Sequence, residues 1–172
     1  PERFIEDSME AVGMGVVYTR TSSGEPLRKI LLGLSQRLID QYYHPHHQQL
    51  TTMVKDVLDI HGQCLIIDCH SFPAKPLDYE TDHSRPDVCI GTDAFHTQPE
   101  LEARLVNLFR EYGYSVTINS PFSGSLVPMC FYQKEPRIQS IMVELNRGLY
   151  STPKRFSKLR IHLKQVLINL HN

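Results

Sequence analysis

The sequence predicts an α/β fold of three layers, in which helices cover both faces of a largely parallel or mixed sheet. Helical patterns alternate with short apolar strands along the chain, which is typical of this class. Three strands run into polar side chains where they end, in "CLIIDCHS", "SVTINSPF" and "IMVELNR". Ligands bind at the carboxyl ends of strands in such sheets. We therefore expect a single domain over residues 1–172 with a site at that edge.

The first half of the chain contains two predicted strands and two predicted helices. The run 13–20, "GMGVVYTR", is β-branched and lies between glycines and a turn, so it predicts a strand. Apolar residues at helical spacing predict a helix over 27–43, which Pro45 is expected to interrupt, and a second over 50–61. The apolar run 64–68, "CLIID", then predicts a strand that is buried on both faces.

The second half continues the alternation of strands and helices. Its strands are rich in Val and Ile, and its helices begin near a proline and carry apolar residues at helical spacing. The predicted elements are strands at 86–93, 115–119 and 138–145 and helices at 99–114 and 153–172.

Composition and charge narrow the class of protein. The formal net charge is −1, which gives no basis for a nucleic-acid or anionic membrane surface. No apolar run approaches the roughly 18 residues that a membrane helix needs. The four cysteines form no CxxC pair, so we expect reduced thiols and a cytoplasmic location. Six of the nine histidines lie between His44 and His83, and this clustering is the first indication of site chemistry.

His70 is the first candidate site residue. Asp68 and His70 are two apart on a strand, so their side chains point to the same face of the sheet. A histidine at the end of a strand can ligate a divalent metal while a nearby carboxylate fixes its tautomer. The alternative is a hydrogen-bonded histidine with a structural role.

Glu144 is the second candidate, because it lies inside the apolar strand "IMVEL". A buried carboxylate is costly unless it is paired, protonated or functional. The functional interpretation is a general base that activates water. The alternative is a salt bridge to Arg147 or to another arginine.

Three further residues are weaker candidates. His44 and His47 are three apart, but Pro45 disturbs a shared metal site, so His47 is predicted to line a polar pocket instead. The loop "NSPFSG" can offer Asn119 and backbone N–H groups to a ligand, or it can be a plain connection. Arg3, taken alone, is typical of a surface arginine.

Six stretches of the chain, taken in order, resemble the N-formylglutamate amidohydrolase family. The resemblance covers nearly the whole chain, and the order "DCHSFP", "IGTD", "PFSG" and "VELNRGLY" is its most specific part. The matching stretches are "GMGVVYTRTSSGEPLR", "YYHPHHQQL", "HGQCLIIDCHSFP", "PDVCIGTD", "NSPFSGSLVP" and "IMVELNRGLY".

The resemblance implies a phosphorylase/hydrolase-like fold of the zinc-carboxypeptidase type and assigns roles to site residues. His70 resembles the third metal ligand, and Glu144 resembles the catalytic glutamate. Asp68 and Ser71 would then lie next to His70 and orient its ring without binding the metal themselves. Arg3 resembles the arginine that grips the substrate carboxylate, although Glu2 stands where the family has an asparagine.

The function that the resemblance implies is metal-dependent hydrolysis of the amide bond of an N-acyl (N-formyl) amino acid such as N-formylglutamate. The expected cofactor is a divalent metal, zinc in first place, and the expected partner is this small molecule. Arg147 and Tyr150 are expected to line the pocket with Asn119 and His47. Two alternatives are a carboxypeptidase-like metallopeptidase and a non-catalytic binding module with an incomplete metal site.

The resemblance also implies that the family's first two metal ligands lie in a segment upstream of Pro1. No histidine precedes His44, so the chain is expected to lack its N-terminal portion. A fold without its first strand and helix is expected to expose part of its sheet.

Overall fold

The computed structural model describes residues 11, 13–21, 23–27, 33–77, 80, 83 and 85–171. The chain divides into two compact units, Pro1–Asp56 with Leu77–Glu80 and Val57–Pro76 with Thr81–Asn172. The described part of the first unit is mainly helical, and the second unit contains the sheet. No helix in the described part of the chain combines the length and the apolar character needed to cross a membrane.

The helical segment of the first unit does not break at Pro45. Helix α1 (Leu34–Leu38) leads into a π-helical turn (Ile39–Tyr43), and α2 (His44–His61) follows directly and runs on into the second unit. The His44 N–H bonds the Ile39 carbonyl five residues back, which is the π pattern. The predicted interruption is therefore wrong. The hydrogen-bond pattern changes directly before Pro45, which has no N–H to donate, and the helical backbone continues through it.

The predicted strand at 13–20 is also wrong. The described residues there form only an isolated bridge between Arg20 and Pro26. The N–H groups of Thr19 and Arg20 both bond the Gly13 carbonyl, and Gly13 has a φ of 77°. A β-branched run thus closes on itself in a loop, because a local turn takes up the hydrogen bonds that a neighbouring strand would need.

A four-stranded mixed sheet is the centre of the second unit. Its strands are β1 (Cys64–Phe72), β2 (Val88–Thr92), β3 (Val116–Ile118) and β4 (Ile138–Asn146), in the order β1-β4-β2-β3. Strands β1 and β4 are parallel, whereas β2 and β3 run antiparallel to them. The α/β class with a mixed sheet is confirmed. The expectation that three carboxyl ends meet at one edge is wrong for β3, which points the other way.

Two helices cover one face of this sheet. Helix α3 (Pro99–Glu111) begins with Pro99, and Gly113 follows its end with a φ of 81°. Helix α4 (Pro153–His171) packs on α3. Together with the sheet they bury one apolar cluster, formed by Val88, Ile90, Leu105, Val106, Phe109, Ile141, Val143, Val166 and Leu170.

Strand β1 lies at the edge of the described sheet. Leu65 is 43% exposed, so the predicted burial of this strand on both faces is wrong. The strand also continues to Phe72, four residues beyond the predicted end. Asp68, His70 and Ser71 are therefore held within a regular strand, and their directions are set by its pairing with β4.

The motif "IGTD" at the end of β2 has a structural explanation. Asp93 accepts hydrogen bonds from the N–H groups of Phe95 and His96. The His96 ring, which is 1% exposed, donates through Nδ1 to the Ile138 carbonyl (2.8 Å) and accepts at Nε2 from the Gln133 N–H (2.9 Å). These bonds join the turn after β2 to the start of β4.

Candidate active site

Four side chains of different chemistry form one row across the sheet. The pairing sets His70 of β1 beside Glu144 of β4, Glu144 beside Cys89 of β2, and Cys89 beside Thr117 of β3. Residues directly opposite each other on neighbouring strands project to the same face. This transverse row (His70, Glu144, Cys89 and Thr117) lies on the face opposite to α3 and α4, because the apolar cluster takes the alternate residues.

His70 is held by Asp68, as their spacing predicts. The His70 Nε2 and Asp68 Oδ1 atoms are 2.8 Å apart, and the His70 side chain remains 51% exposed. This hydrogen bond raises the pKa of His70 above its usual value. A ring that donates through Nε2 presents Nδ1 to a ligand, which is the arrangement that carboxylate-supported metal histidines use.

Glu144 is buried without a full set of hydrogen bonds. It is 8% exposed, and its Oε2 atom has no hydrogen-bond partner among the described residues. Burial raises the pKa of Glu144 above the usual glutamate value. A carboxylate in this state is poised to take up a proton, as a general base must.

Arg147 binds Ser71 rather than Glu144 among the described residues. Its Nη2 donates to the Ser71 carbonyl (3.1 Å) and its Nε to the Ser71 hydroxyl (3.3 Å). Both residues follow the row at the carboxyl ends of β1 and β4. Ser71 alternates with His70 along β1, so its side chain projects to the opposite face of the sheet. The guanidinium lies at the rim of the candidate site, where its charge partly offsets the burial that raises the pKa of Glu144.

The other predicted pocket residues are placed less favourably or lie outside the described part. Tyr150 ends a 3-10 turn after β4 and is half-buried. Asn119 exchanges two hydrogen bonds with Thr92, through the Thr92 N–H and hydroxyl, and follows the strand that runs away from this edge. Arg3 lies outside the described residues.

His47 belongs to the first unit. Its ring lies 4.1 Å from that of Tyr43. Burial lowers the pKa of His47, and the neighbouring His46 and His44 lower it further. These features favour a neutral imidazole that packs on an aromatic ring, and its part in substrate binding stays a prediction.

The described residues do not by themselves form a complete metal site. No group of three or more His, Cys, Asp and Glu side chains that could hold a metal ion occurs in the described part, whereas a catalytic zinc site takes about three protein ligands. The His70–Asp68 pair suits one ligand position. Glu144, with its unpartnered Oε2 atom, suits the role of a general base beside that position.

Three features of the site carry no clear signal in the sequence. Cys89 is fully buried, and its thiol donates to the Phe122 carbonyl (3.2 Å). The ring of Phe122 lies 5.4 Å from that of Phe72. The Arg85 guanidinium lies 5.8 Å from the centre of the same Phe72 ring. Strand register places Cys89 in the row, and only the tertiary contacts bring Phe122 and Arg85 to Cys89 and Phe72.

Comparison with known proteins places the chain in a family. The family model of N-formylglutamate amidohydrolase matches residues 1–151. The structure is similar to that of N-formylglutamate amidohydrolase from Ralstonia eutropha JMP134, with a TM-score of 0.76 and 24% identity over 95% of this chain. It is also similar to the gene product Atu2144 from Agrobacterium tumefaciens, with a TM-score of 0.62 and 11% identity over 90% of this chain.

In both comparisons the chain spans 62% of the length of the similar structure. No curated protein matches the sequence. At these identities the two structures establish the fold, and the family match rests on the sequence itself. Because that match covers most of its residues, the chain belongs to the N-formylglutamate amidohydrolase family.

Proposed function

We propose that the protein hydrolyses the amide C–N bond of an N-acyl amino acid, with N-formylglutamate as the expected substrate. The observation that carries this proposal is the buried, unpartnered Oε2 atom of Glu144 beside the His70–Asp68 pair. Family membership supports the reaction class. The products are a carboxylate, formate for the N-formyl substrate, and the free amino acid.

Glu144 is the proposed general base. Its carboxylate takes a proton from the attacking water and delivers it to the leaving amine as the C–N bond breaks. Burial raises the pKa of Glu144, which makes it a stronger base than an exposed glutamate. Its place beside His70 on the same face brings the proton acceptor and the proposed metal ligand together.

The proposal includes a divalent metal, with zinc expected. When bound, such an ion polarises the amide carbonyl as a Lewis acid. His70 would hold it through Nδ1, and Asp68 would fix the ring orientation through Nε2. The other protein ligands would come from outside the described residues.

The substrate carboxylates need cations, and two arginines are proposed to bind them. Arg147 lies at the rim of the site on Ser71, and a guanidinium suits bidentate carboxylate binding. Arg3 keeps the role that the family resemblance implies, and His47, Asn119 and Tyr150 are weaker candidates. The four unpaired cysteines agree with a cytoplasmic location, which is also part of the proposal.

The test replaces Glu144 by Gln in the full-length protein and measures hydrolysis of N-formyl-L-glutamate. We expect kcat to fall by about 100-fold or more, because the amide cannot accept the proton. Glu111→Gln, an exposed glutamate at the end of α3, is the matched control and should keep wild-type rates. Retained activity in the Glu144→Gln variant would remove Glu144 from the mechanism.

The same assay separates the two alternatives. A carboxypeptidase-like enzyme would turn over short peptides faster than N-formylglutamate. A binding module would turn over neither substrate, and the purified full-length protein would contain no stoichiometric metal.

A further inference from the structure

A loop crosses the sheet over the face that carries the transverse row. The crossing loop comprises residues 120–126, which follow β3. The hydroxyl of Thr117, a member of the row, donates to the Ser120 carbonyl. The thiol of Cys89, also in the row, donates to the Phe122 carbonyl (3.2 Å). The loop is therefore anchored on two of the four residues that define the candidate site.

Two further contacts continue the same pattern away from the row. Gly91 lies so close to the loop that a Cβ at this position would overlap the Gly124 carbonyl oxygen. The Ser140 hydroxyl donates to the Leu126 carbonyl (2.8 Å). Alternate carbonyls of the crossing loop thus face the sheet, and the fit is set by side chains of three strands.

The crossing loop also makes an aromatic contact across β4. Phe72 follows His70 by two residues on β1 and points to the same face, where it is 2% exposed. Phe122 is anchored over β2, yet its ring lies 5.4 Å from that of Phe72. Because β4 lies between β1 and β2, the two rings meet over β4, from which Glu144 and Asn146 project to the same face.

We propose that the Phe72–Phe122 pair is a wall that limits the size of the acyl group admitted to Glu144, with Phe122 as the specificity-determining residue. Glu144, which lies two residues from the end of β4 on the face that carries the pair, is 8% exposed. It is apolar and close-packed, so it leaves room for a small acyl substituent and resists a larger one. This proposal rests on the proposed amidase function.

The test compares N-formyl-, N-acetyl- and N-propionyl-glutamate in wild-type, Phe122→Leu and Phe122→Ala full-length proteins. The ratio of kcat/KM for the propionyl to the formyl substrate should rise about 10-fold or more in Phe122→Ala, because one or two methylene groups change such ratios by that amount. Phe122→Leu should fall between the two. Phe156→Ala removes an exposed phenylalanine of α4 and should leave the ratio unchanged.

A second readout follows the crossing loop itself. Cys89 is fully buried, so alkylation by iodoacetamide, mapped by peptide mass spectrometry, reports whether the loop has moved. We expect Cys89 to stay protected in Phe122→Leu while the acyl preference shifts. If neither variant changed the acyl preference, the wall would be overturned. If the preference shifted only in Phe122→Ala and Cys89 became alkylated there, Phe122 would have only a structural role in holding the loop.

Binding measurements separate this proposal from the proposed function. Dissociation constants of the three ligands are measured by calorimetry in the Glu144→Gln background, with and without Phe122→Ala, so no turnover is needed. The wall predicts that Phe122→Ala improves the affinity for the propionyl ligand relative to the formyl ligand. If the affinities shifted in this way but the wild-type protein hydrolysed none of the substrates, the amidase function would be rejected and the wall kept. If Phe122→Ala changed the affinities for all three ligands equally, or if no ligand bound, the wall would be rejected.

Discussion

At the scale of a residue, the burial of Glu144 lowers the stability of the fold and at the same time suits the residue to act as a base. Its Oε2 atom is buried and has no hydrogen-bond partner among the described residues. Such an atom costs about 1–3 kcal/mol relative to a satisfied one. A fold keeps a destabilising group of this kind where a function requires it, because active sites give up stability for activity.

Replacing Glu144 by Gln should therefore raise the free energy of unfolding at neutral pH. Because the folded-state pKa of Glu144 is raised, its penalty is absent below the unfolded-state pKa and complete above the folded-state pKa. The variant should exceed the wild type by about 1 kcal/mol near pH 8 and match it near pH 4. Urea unfolding with a chelator present measures this difference. A variant less stable than the wild type near pH 8 would contradict this account.

His96, in contrast to Glu144, is buried with both of its ring nitrogens hydrogen-bonded. Its ring bonds the Ile138 carbonyl and the Gln133 N–H. His96→Ala should lower the free energy of unfolding by about 3 kcal/mol, through a cavity and two lost hydrogen bonds. His61→Ala, an exposed histidine at the end of α2, should change it by less than about 0.5 kcal/mol. Equal effects in thermal unfolding would refute the distinction.

At the scale of an element, the crossing loop depends on a small residue in β2. Gly91 has no room for a Cβ, which would overlap the Gly124 carbonyl oxygen and the Met142 side chain. The Met142 side chain can move at low cost, whereas a backbone carbonyl held by its neighbours cannot. Gly91 is therefore required by close approach and not by its φ angle.

Gly91→Ala should destabilise the protein by about 1–3 kcal/mol and displace the crossing loop. Alkylation of Cys89, measured as above, should then increase. The double variant Gly91→Ala with Met142→Ala removes the flexible obstacle and leaves the carbonyl in place. It should not restore protection of Cys89, and full restoration would show that Met142 alone requires the glycine.

The helical segment around Pro45 shows that local patterns can predict two helices and still miss how they are joined. Apolar spacing predicts helices on both sides of Pro45, and both are present in the described residues. The π-helical turn Ile39–Tyr43 joins them. Which hydrogen-bond pattern bridges a proline depends on how the two helical segments pack, and the sequence pattern does not contain that information.

At the scale of the whole molecule, we expect activity to depend on a bound divalent metal. Dialysis of the full-length protein against a chelator should abolish hydrolysis of N-formylglutamate, and added zinc should restore it.

His70→Ala should lower the zinc content measured by atomic spectroscopy. Asp68→Asn should weaken zinc affinity by about 10- to 100-fold, since the partner of a ligating histidine tunes it. Full activity with a chelator present would exclude a metal-dependent reaction.

Much of the fold and part of the candidate site are contained in the sequence. Local periodicity correctly predicts helices α3 and α4 and the cores of all four strands. The spacing of Asp68 and His70 predicts their contact, because a two-residue period is a property of any strand. The single charged residue in "IMVEL" likewise identifies Glu144 as a residue in need of an explanation.

Only the tertiary structure decides which strand ends share an edge. Strand β3 runs antiparallel to β1, so Asn119 points away from the edge at which Ser71 and Arg147 lie. The neighbours of Glu144, namely Cys89 on the adjoining strand and the Phe72–Phe122 pair above it, come from three separate parts of the chain. Strand direction and register are set by pairing between residues far apart in sequence, which no local pattern records.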